Sequence, residues 1–285
     1  MNPSAARGGG AEIVPRLRRV AGRLGASLAV SESGDHLREL ARRAVADGVE
    51  RLVVAGGDGT LHLVVQELAR SECGLVPLAA GRGNDLTTCL DLRPVPERLE
   101  EWIGEGPLRR VDLGRAGDVW FGVHCGVGFD SEAARWANEQ TIVGGILSYP
   151  LAVLRTLVAF EAPHLRVEHE GGVFDERAMF VVCANCWRFG GGMKVAPDAA
   201  IDDGLLDVVL VRRVSKWLAL RLFALVYHGR HVDHPAVTVV KTPWARISLD
   251  REMEMYGDGE PMLGVGGEPL DVRVAPGALR VVGRP

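Results

Sequence analysis

Three short runs in this 285-residue chain set carboxylates or amides among glycines. The first, Gly56-Gly57-Asp58-Gly59-Thr60, follows the apolar run from Arg51 and precedes helical spacing from Leu61 to Ala69. Glycines here let the main chain take positive φ and let a ligand approach it closely. The helix N-terminus adds N–H groups and a positive dipole end, which suit a phosphate. A phosphate would repel Asp58 unless a divalent cation lay between them, so the pair suggests a magnesium nucleotide. The plainer reading is a strand-to-helix turn that uses glycine for tightness. No Gly-Lys-Ser/Thr follows, so the run is not a Walker A loop, nor is its spacing Gly-x-Gly-x-x-Gly.

The second run, Gly81-Arg82-Gly83-Asn84-Asp85, ends the next apolar stretch, which starts at Gly74. Loops at the carboxyl ends of neighbouring strands in an open α/β sheet share one crevice, so two such turns point to a nucleotide site better than either alone. Helix N-capping by Asn84 or Asp85 is the alternative. The third run lies between Glu252 and Met262, where Glu252-Met253-Glu254-Met255 alternates as a half-buried strand does. It leads into Gly257-Asp258-Gly259-Glu260-Pro261, a hairpin turn by its Asp-Gly pair.

The elements that must hold these turns divide the chain by texture. Asp35 to Val49 has its apolar residues at helical spacing, and helix and strand patterns alternate through the first hundred or so residues. That alternation predicts an α/β domain with an open, mostly parallel sheet over residues 1–108. Beyond Leu108, strand-like segments begin at Val119, His164, Ala178, Gly204, Ala245 and Leu270, with helical stretches at Gly144–Phe160 and Ser215–His228. These predict a β-rich, sandwich-like domain over 109–274, with 275–285 returning to the first domain and a cleft between the two. In Gly144–Phe160 the stripe Leu147, Leu151, Leu154 and Val158 reads as core-facing, with lining of an acyl-chain pocket as the sharper alternative.

Composition excludes several classes. With 33 Lys+Arg against 37 Asp+Glu, the net charge of -4 leaves no basic coat for nucleic acid. Only Lys194, Lys216 and Lys241 are lysines, so lysine-dependent chemistry has few candidates. The five cysteines have no regular spacing, which suits reduced thiols in a cytoplasmic protein. Cys183-Ala184-Asn185-Cys186 has half of a zinc-ribbon pattern but lies in an apolar strand, and with His124 and Cys125 would meet only by spatial accident. No apolar run is clean enough for a spanning helix.

Gly-Gly-Asp-Gly-Thr, then Gly-Arg-Gly-Asn-Asp, the run Gly190–Val211, and Asp258-Gly259-Glu260-Pro261, in that order, resemble the diacylglycerol kinase catalytic-domain family, whose eukaryotic relatives include sphingosine and ceramide kinases. Asn2-Pro3-Ser4, the segments Gly126–Asp130 and Gly229–Val237, and the closing Ala275–Val281 extend the likeness over nearly the whole chain. The resemblance implies ATP and Mg²⁺ as cofactors and transfer of the γ-phosphoryl group to a lipid with a free hydroxyl. It implies that Asn2, Pro3, Ser4, Ala5 and Ala6 form the first ATP loop, and that Gly57, Asp58, Gly59, Thr60, Leu61, His62 and Leu63 form the phosphate loop and its helix start. Arg82, Asn84 and Asp85 would lie near the nucleotide. Asp203, with the carbonyls of Ala200 and Leu205, would hold a structural magnesium ion, which hard oxygens in a tight turn suit. Glu260 would accept the hydroxyl proton, with Asp258 its rival; magnesium held near Asp58 would screen the phosphates.

Four departures from the family pattern stand out. The family has a strand before the Asn2-Pro3 position, His62 and Leu63 stand where it has Asn-Glu, Arg82 replaces a threonine, and His124 replaces an asparagine. The start of the chain and the changed residues after Gly-Gly-Asp-Gly-Thr keep open a catalytically weak regulatory homologue that binds nucleotide or lipid. A kinase for NAD or another soluble polyol is the other alternative. A cytoplasmic protein with transient membrane-surface contact is expected, its oligomeric state open, a homodimer included. Arg7, Arg16, Arg18, Arg19 and Arg23 could meet anionic headgroups, though a solvated helix face is the simpler reading.

Overall fold

β1 (Arg51–Gly56) and β2 (Gly74–Ala79) pair in parallel from Arg51 opposite Gly74 to Gly56 opposite Ala79. The computed structural model describes residues 10–81, 83–92, 99–104, 106–139 and 148–283. It divides into one unit of residues 1–113, 201–203 and 275–285 and another of 114–200 and 204–274. The expected first ATP loop, Asn2 to Ala6, and Arg82 lie outside the described residues, as does Leu147.

In the first unit, α1 (Gly10–Leu24) lays Leu17 and Val20 on Ala55 of β1 and Leu78 of β2. Its Arg18 and Arg19 are exposed, and Arg23 pairs with Glu100 at 2.7 Å, so the arginines line a solvated face. Ser33 caps α2 (Gly34–Ala46) by accepting the His36 N–H. α2 is tied to α3 (Asp58–Leu68) through Arg38 and Arg42, which share Glu67. α4 (Asp85–Cys89), α5 (Leu99–Gly104) and β3 (Leu108–Ala116) follow, β3 running across the division into the second unit. The end of β13 (Leu270–Val282) returns to pair in parallel with β2 at Val281 and Leu75.

The second unit is antiparallel. β5 (His124–Gly128), β7 (Gly172–Ala184), β8 (Leu206–Arg212) and β9 (Val237–Thr242) are neighbours, and β11 (Met253–Gly257) with β12 (Glu260–Val265) extends the β5 edge. The first half of β7 instead pairs with β6 (His164–His169), which pairs with β10 (Trp244–Leu249). One core, including Val127, Leu165, Val181, Leu210, Ile247 and Met255, is enclosed by these strands. Met253 and Met255 are buried while Glu254 is exposed, as the alternation requires.

Two expectations change. The run from Val119 is two strands, β4 (Val119–Phe121) and β5, because the bend at Gly122 and Val123 turns their N–H groups onto a distant side chain described below. Helix α7 (Ser148–Ala159) buries Ala152, Val153, Thr156 and Leu157, whereas Leu151, Leu154 and Val158 of the anticipated core stripe are exposed. A helix apolar on nearly every side carries no periodic signal to choose its face. Helices α6 (Phe129–Glu139) and α8 (Lys216–Val226) complete the unit. Among the described residues no helix is long and apolar enough to cross a membrane.

Candidate functional site

The turns after β1 and β2 meet main chain to main chain. A Cβ on Gly81 would stand 2.5 Å from the Cα of Gly57, so neither loop has room for a side chain at the contact. Gly57 is extended at the N-cap of α3 and offers no side-chain cap to its amides. The result is a glycine-walled helix N-terminus, a cradle that side chains would fill and a phosphate suits. Thr60, Leu61 and His62 are buried along α3, and Leu63 packs beside Gly34. What this segment can offer an anion at the helix start is therefore main-chain N–H.

Asp58 braces the second turn. Its Oδ2 accepts the N–H of Asn84 at 2.8 Å and its Oδ1 that of Asp85 at 2.7 Å. These amides open α4, and a carboxylate there is held by charge-assisted bonds. Asp58 therefore does the capping that Asn84 and Asp85 were candidates for. Asn84, at φ 51°, instead closes its own turn: Oδ1 accepts the Gly81 N–H and Nδ2 donates to the Gly81 carbonyl. A Cβ on Gly83 would stand 2.6 Å from Asp58 Oδ2, so this glycine is required by the brace. Asp85 is buried.

In the second unit, Asp258 and Gly259 have φ of 54° and 88° and join β11 to β12 as a two-residue hairpin, with Gly257 opposite Glu260. Positive φ at both positions is the hairpin geometry for which Asp-Gly is suited. Both oxygens of Asp258 are engaged: Oδ2 accepts the Gly122 N–H at 2.8 Å, and Oδ1 accepts Val123 at 2.8 Å and His124 at 3.2 Å. Asp258 thus holds the hairpin to the start of β5. Glu260, partly exposed, opens β12 opposite Gly257.

Residues 200–205 form the turn before β8, with Gly204 at φ 74° and Asp203 exposed. Asp202 pairs with Arg109 at 3.3 Å, and the Ile201 carbonyl accepts the Asp112 N–H at 2.8 Å. Buried Asp112 in turn accepts the Gly277 N–H at 2.7 Å, a tie that the sequence reading missed. Among the described residues no three His, Cys, Asp or Glu side chains cluster as a metal site. Cys125 stands opposite Cys183 in the β5–β7 register, and burial with the Cys183 contact pushes its thiol well up.

An apolar cavity in the second unit is lined by Phe129, Met179, Met193, Leu222 and Phe223 among others, with Asp130 and His231 as its ionisable groups. Asp130 is in the first turn of α6, directly after β5. The residue is partly exposed, yet its Oδ1 is buried without a hydrogen-bond partner, and burial lifts its pKa to about 7. The buried oxygen sets the carboxyl's environment. Nε2 of His231 lies 3.0 Å from the Val195 carbonyl, an acceptor only, so Nε2 carries the proton and buried Nδ1 is a partnerless acceptor. Burial also lowers the His231 pKa. His234 is a turn residue, its Nδ1 accepting the Ala236 N–H. A carboxylate directly after the apolar run from Val119 was the available signal for Asp130. β5 links the two features, the Asp258 hairpin at its start and Asp130 just past its end, about 13 Å of strand.

The Diacylglycerol kinase catalytic domain family matches residues 1–116, and the YegS C-terminal NAD kinase beta sandwich-like domain matches 123–283. A "Diacylglycerol kinase" of Mycobacterium tuberculosis is 29% identical over 254 residues, covering 86% of this chain and 80% of its own. A "Probable lipid kinase YegS-like" protein of Pseudomonas fluorescens is 30% identical over 254 residues, covering 88% and 82%. The crystal structure of a diacylglycerol kinase from Bacillus anthracis str. Sterne, at 18% identity, superposes with a TM-score of 0.73 over 100% of this chain and 95% of that one, a likeness of fold.

Proposed function

Because this chain belongs to the diacylglycerol kinase catalytic-domain family, we propose that it transfers the γ-phosphoryl group of ATP to a hydroxyl of a diacylglycerol-like or sphingoid lipid. The observation that carries the lipid reading is the apolar cavity with a buried carboxyl at its wall. A soluble polyol or NAD would have no use for walls such as Phe129, Met179 and Leu222, whereas an acyl chain gains from burying against them. Asp130, neutral or charged near pH 7, can donate to or accept from a polar group at the chain's head.

The glycine-walled start of α3 is the phosphate seat in this reading, and its amides oppose charge on the transferring group. Asp58 holds the second turn in place against the first. Mg²⁺ would supply charge neutralisation at the phosphates, and a structural ion would be held by Asp203 with the carbonyls of Ala200 and Leu205. Glu260 is the base: as the lipid oxygen bonds to the γ-phosphorus and the bond to the β-phosphate oxygen breaks, the hydroxyl proton passes to its carboxylate and ADP leaves. Positioning and charge compensation supply most of the catalysis.

Purified protein incubated with radiolabelled ATP, Mg²⁺ and micelles of diacylglycerol, ceramide or phosphatidylglycerol tests this. A labelled lipid is expected. ATP binding with no phosphorylated lipid across the panel would overturn the kinase reading in favour of a regulatory binder.

A further inference from the structure

α7 and α8 present apolar side chains to solvent on their outer faces. On α7, Leu151, Leu154 and Val158 are 41%, 50% and 71% exposed, and Trp217, in the first turn of α8, is 83% exposed. The Lys216 Nζ donates to the Val158 carbonyl at 2.6 Å, which ties the first residue of α8 to the last turn of α7. Neither helix contains an Asp or Glu: their charges are Arg155, Lys216 and Arg221, with Arg213 just before α8. Val153 of α7 and Ala219, Leu222 and Phe223 of α8 line the apolar cavity, so the helices that carry the exposed side chains also wall the cavity.

We propose that the outer faces of α7 and α8 dock this protein on an anionic membrane surface, with Trp217, Leu154 and Val158 entering the headgroup layer and Lys216, Arg213 and Arg221 meeting lipid phosphates. Three features select that occupant. A tryptophan among aliphatic residues is the chemistry of the membrane–water interface. The cations on and just before α8 complement a negatively charged leaflet, with exposed Glu161, past the end of α7, the nearest acid in sequence. The same two helices wall the cavity proposed for the acyl chain, so docking brings that wall to the bilayer in which such chains lie. The surface deepens the lipid-kinase reading and rests on it for purpose, but its test needs no catalysis.

The test is co-sedimentation with vesicles of phosphatidylcholine, with and without phosphatidylglycerol, containing no diacylglycerol or ceramide. The wild type is expected to bind the phosphatidylglycerol vesicles and to be released by salt. Trp217→Ala and the double change Leu154→Ser with Val158→Ser should lower partitioning about tenfold. Arg213→Gln and Arg221→Gln should each lower it about fivefold. All these side chains are exposed, and unchanged thermal melting checks that the variants fold. Arg18→Gln with Arg19→Gln on α1 should bind as the wild type does. Equal binding by the α7 and α8 variants, dependence on α1 instead, no binding by the wild type, or a dimer in sedimentation equilibrium that Trp217→Ala disperses without vesicle binding would each overturn the proposal. Loss of kinase turnover with vesicle binding intact would instead count against the functional reading.

Discussion

The carboxylate of Asp58, in the turn after the first strand, accepts the main-chain N–H of Asp85, in the turn after the second, at 2.7 Å. With the Asn84 bond at 2.8 Å, this makes one aspartate the rivet between two glycine turns whose main chains already touch. The shape of the cradle therefore depends on a side chain that need not touch phosphate.

Gly83→Ala puts a methyl against that rivet, where the space to Asp58 Oδ2 is 2.6 Å. Titration calorimetry should show ATP affinity lowered about tenfold or more, with thermal stability changed much less. Asp58→Ala should cost about 2 kcal/mol of stability by orphaning two amides, and should weaken ATP binding as well. Unaltered ATP affinity in both variants would dissociate the rivet from nucleotide binding.

Asp258 and Glu260 share a hairpin and should separate cleanly on mutation. Asp258→Ala leaves the amides of Gly122, Val123 and His124 without their acceptor and should destabilise the second unit by about 3 kcal/mol in chemical denaturation. Glu260→Gln should leave the melting temperature unchanged while lowering kcat by about a hundredfold or more. The reverse pattern would move the base to Asp258.

Asp130 ties stability to pH. Its pKa in the folded chain is raised from 3.8 to about 7, so the folded state holds this proton more tightly than the unfolded state does. The sign follows: its contribution is best below about pH 4, worsens as pH rises to about 7, and is level above that. Asp130→Asn should abolish this fall, leaving the variant more stable than the wild type at pH 8 by a few kcal/mol at most and not at pH 4. Parallel denaturation curves at every pH would remove the buried-carboxyl assignment.

The cavity should set chain-length preference. Ala219→Phe fills its α8 wall, and kcat/KM for long-chain lipids should fall about tenfold while a short-chain analogue is spared. Equal losses for both would place the chain elsewhere.

How much of this could be read without coordinates depended on distance along the chain. Gly56 to Thr60 announced a strand-to-helix turn, and Asp258-Gly259 a hairpin, because glycine's freedom and the periods of strand and helix act between immediate neighbours. The order of the glycine turns and of the Asp258 motif was likewise enough to place the chain in its family, since such motifs are strings of adjacent residues. The partners of the key carboxylates were not legible. Asp58 reaches a residue 27 positions away, and Asp258 reaches one 136 positions away. Nothing in a local pattern records which amide a side chain will find, so Asp58 reads as a cation neighbour and the bend at Gly122 reads as continuous strand. The outward face of α7 escaped for another reason: Leu151 and Leu154 are as apolar as Val153 and Leu157. By itself, then, the sequence determined the local turns, the alternation of elements and the family. Tertiary structure alone decided which acids brace and which apolar face stays in water, because those choices are made by packing between segments remote in the chain.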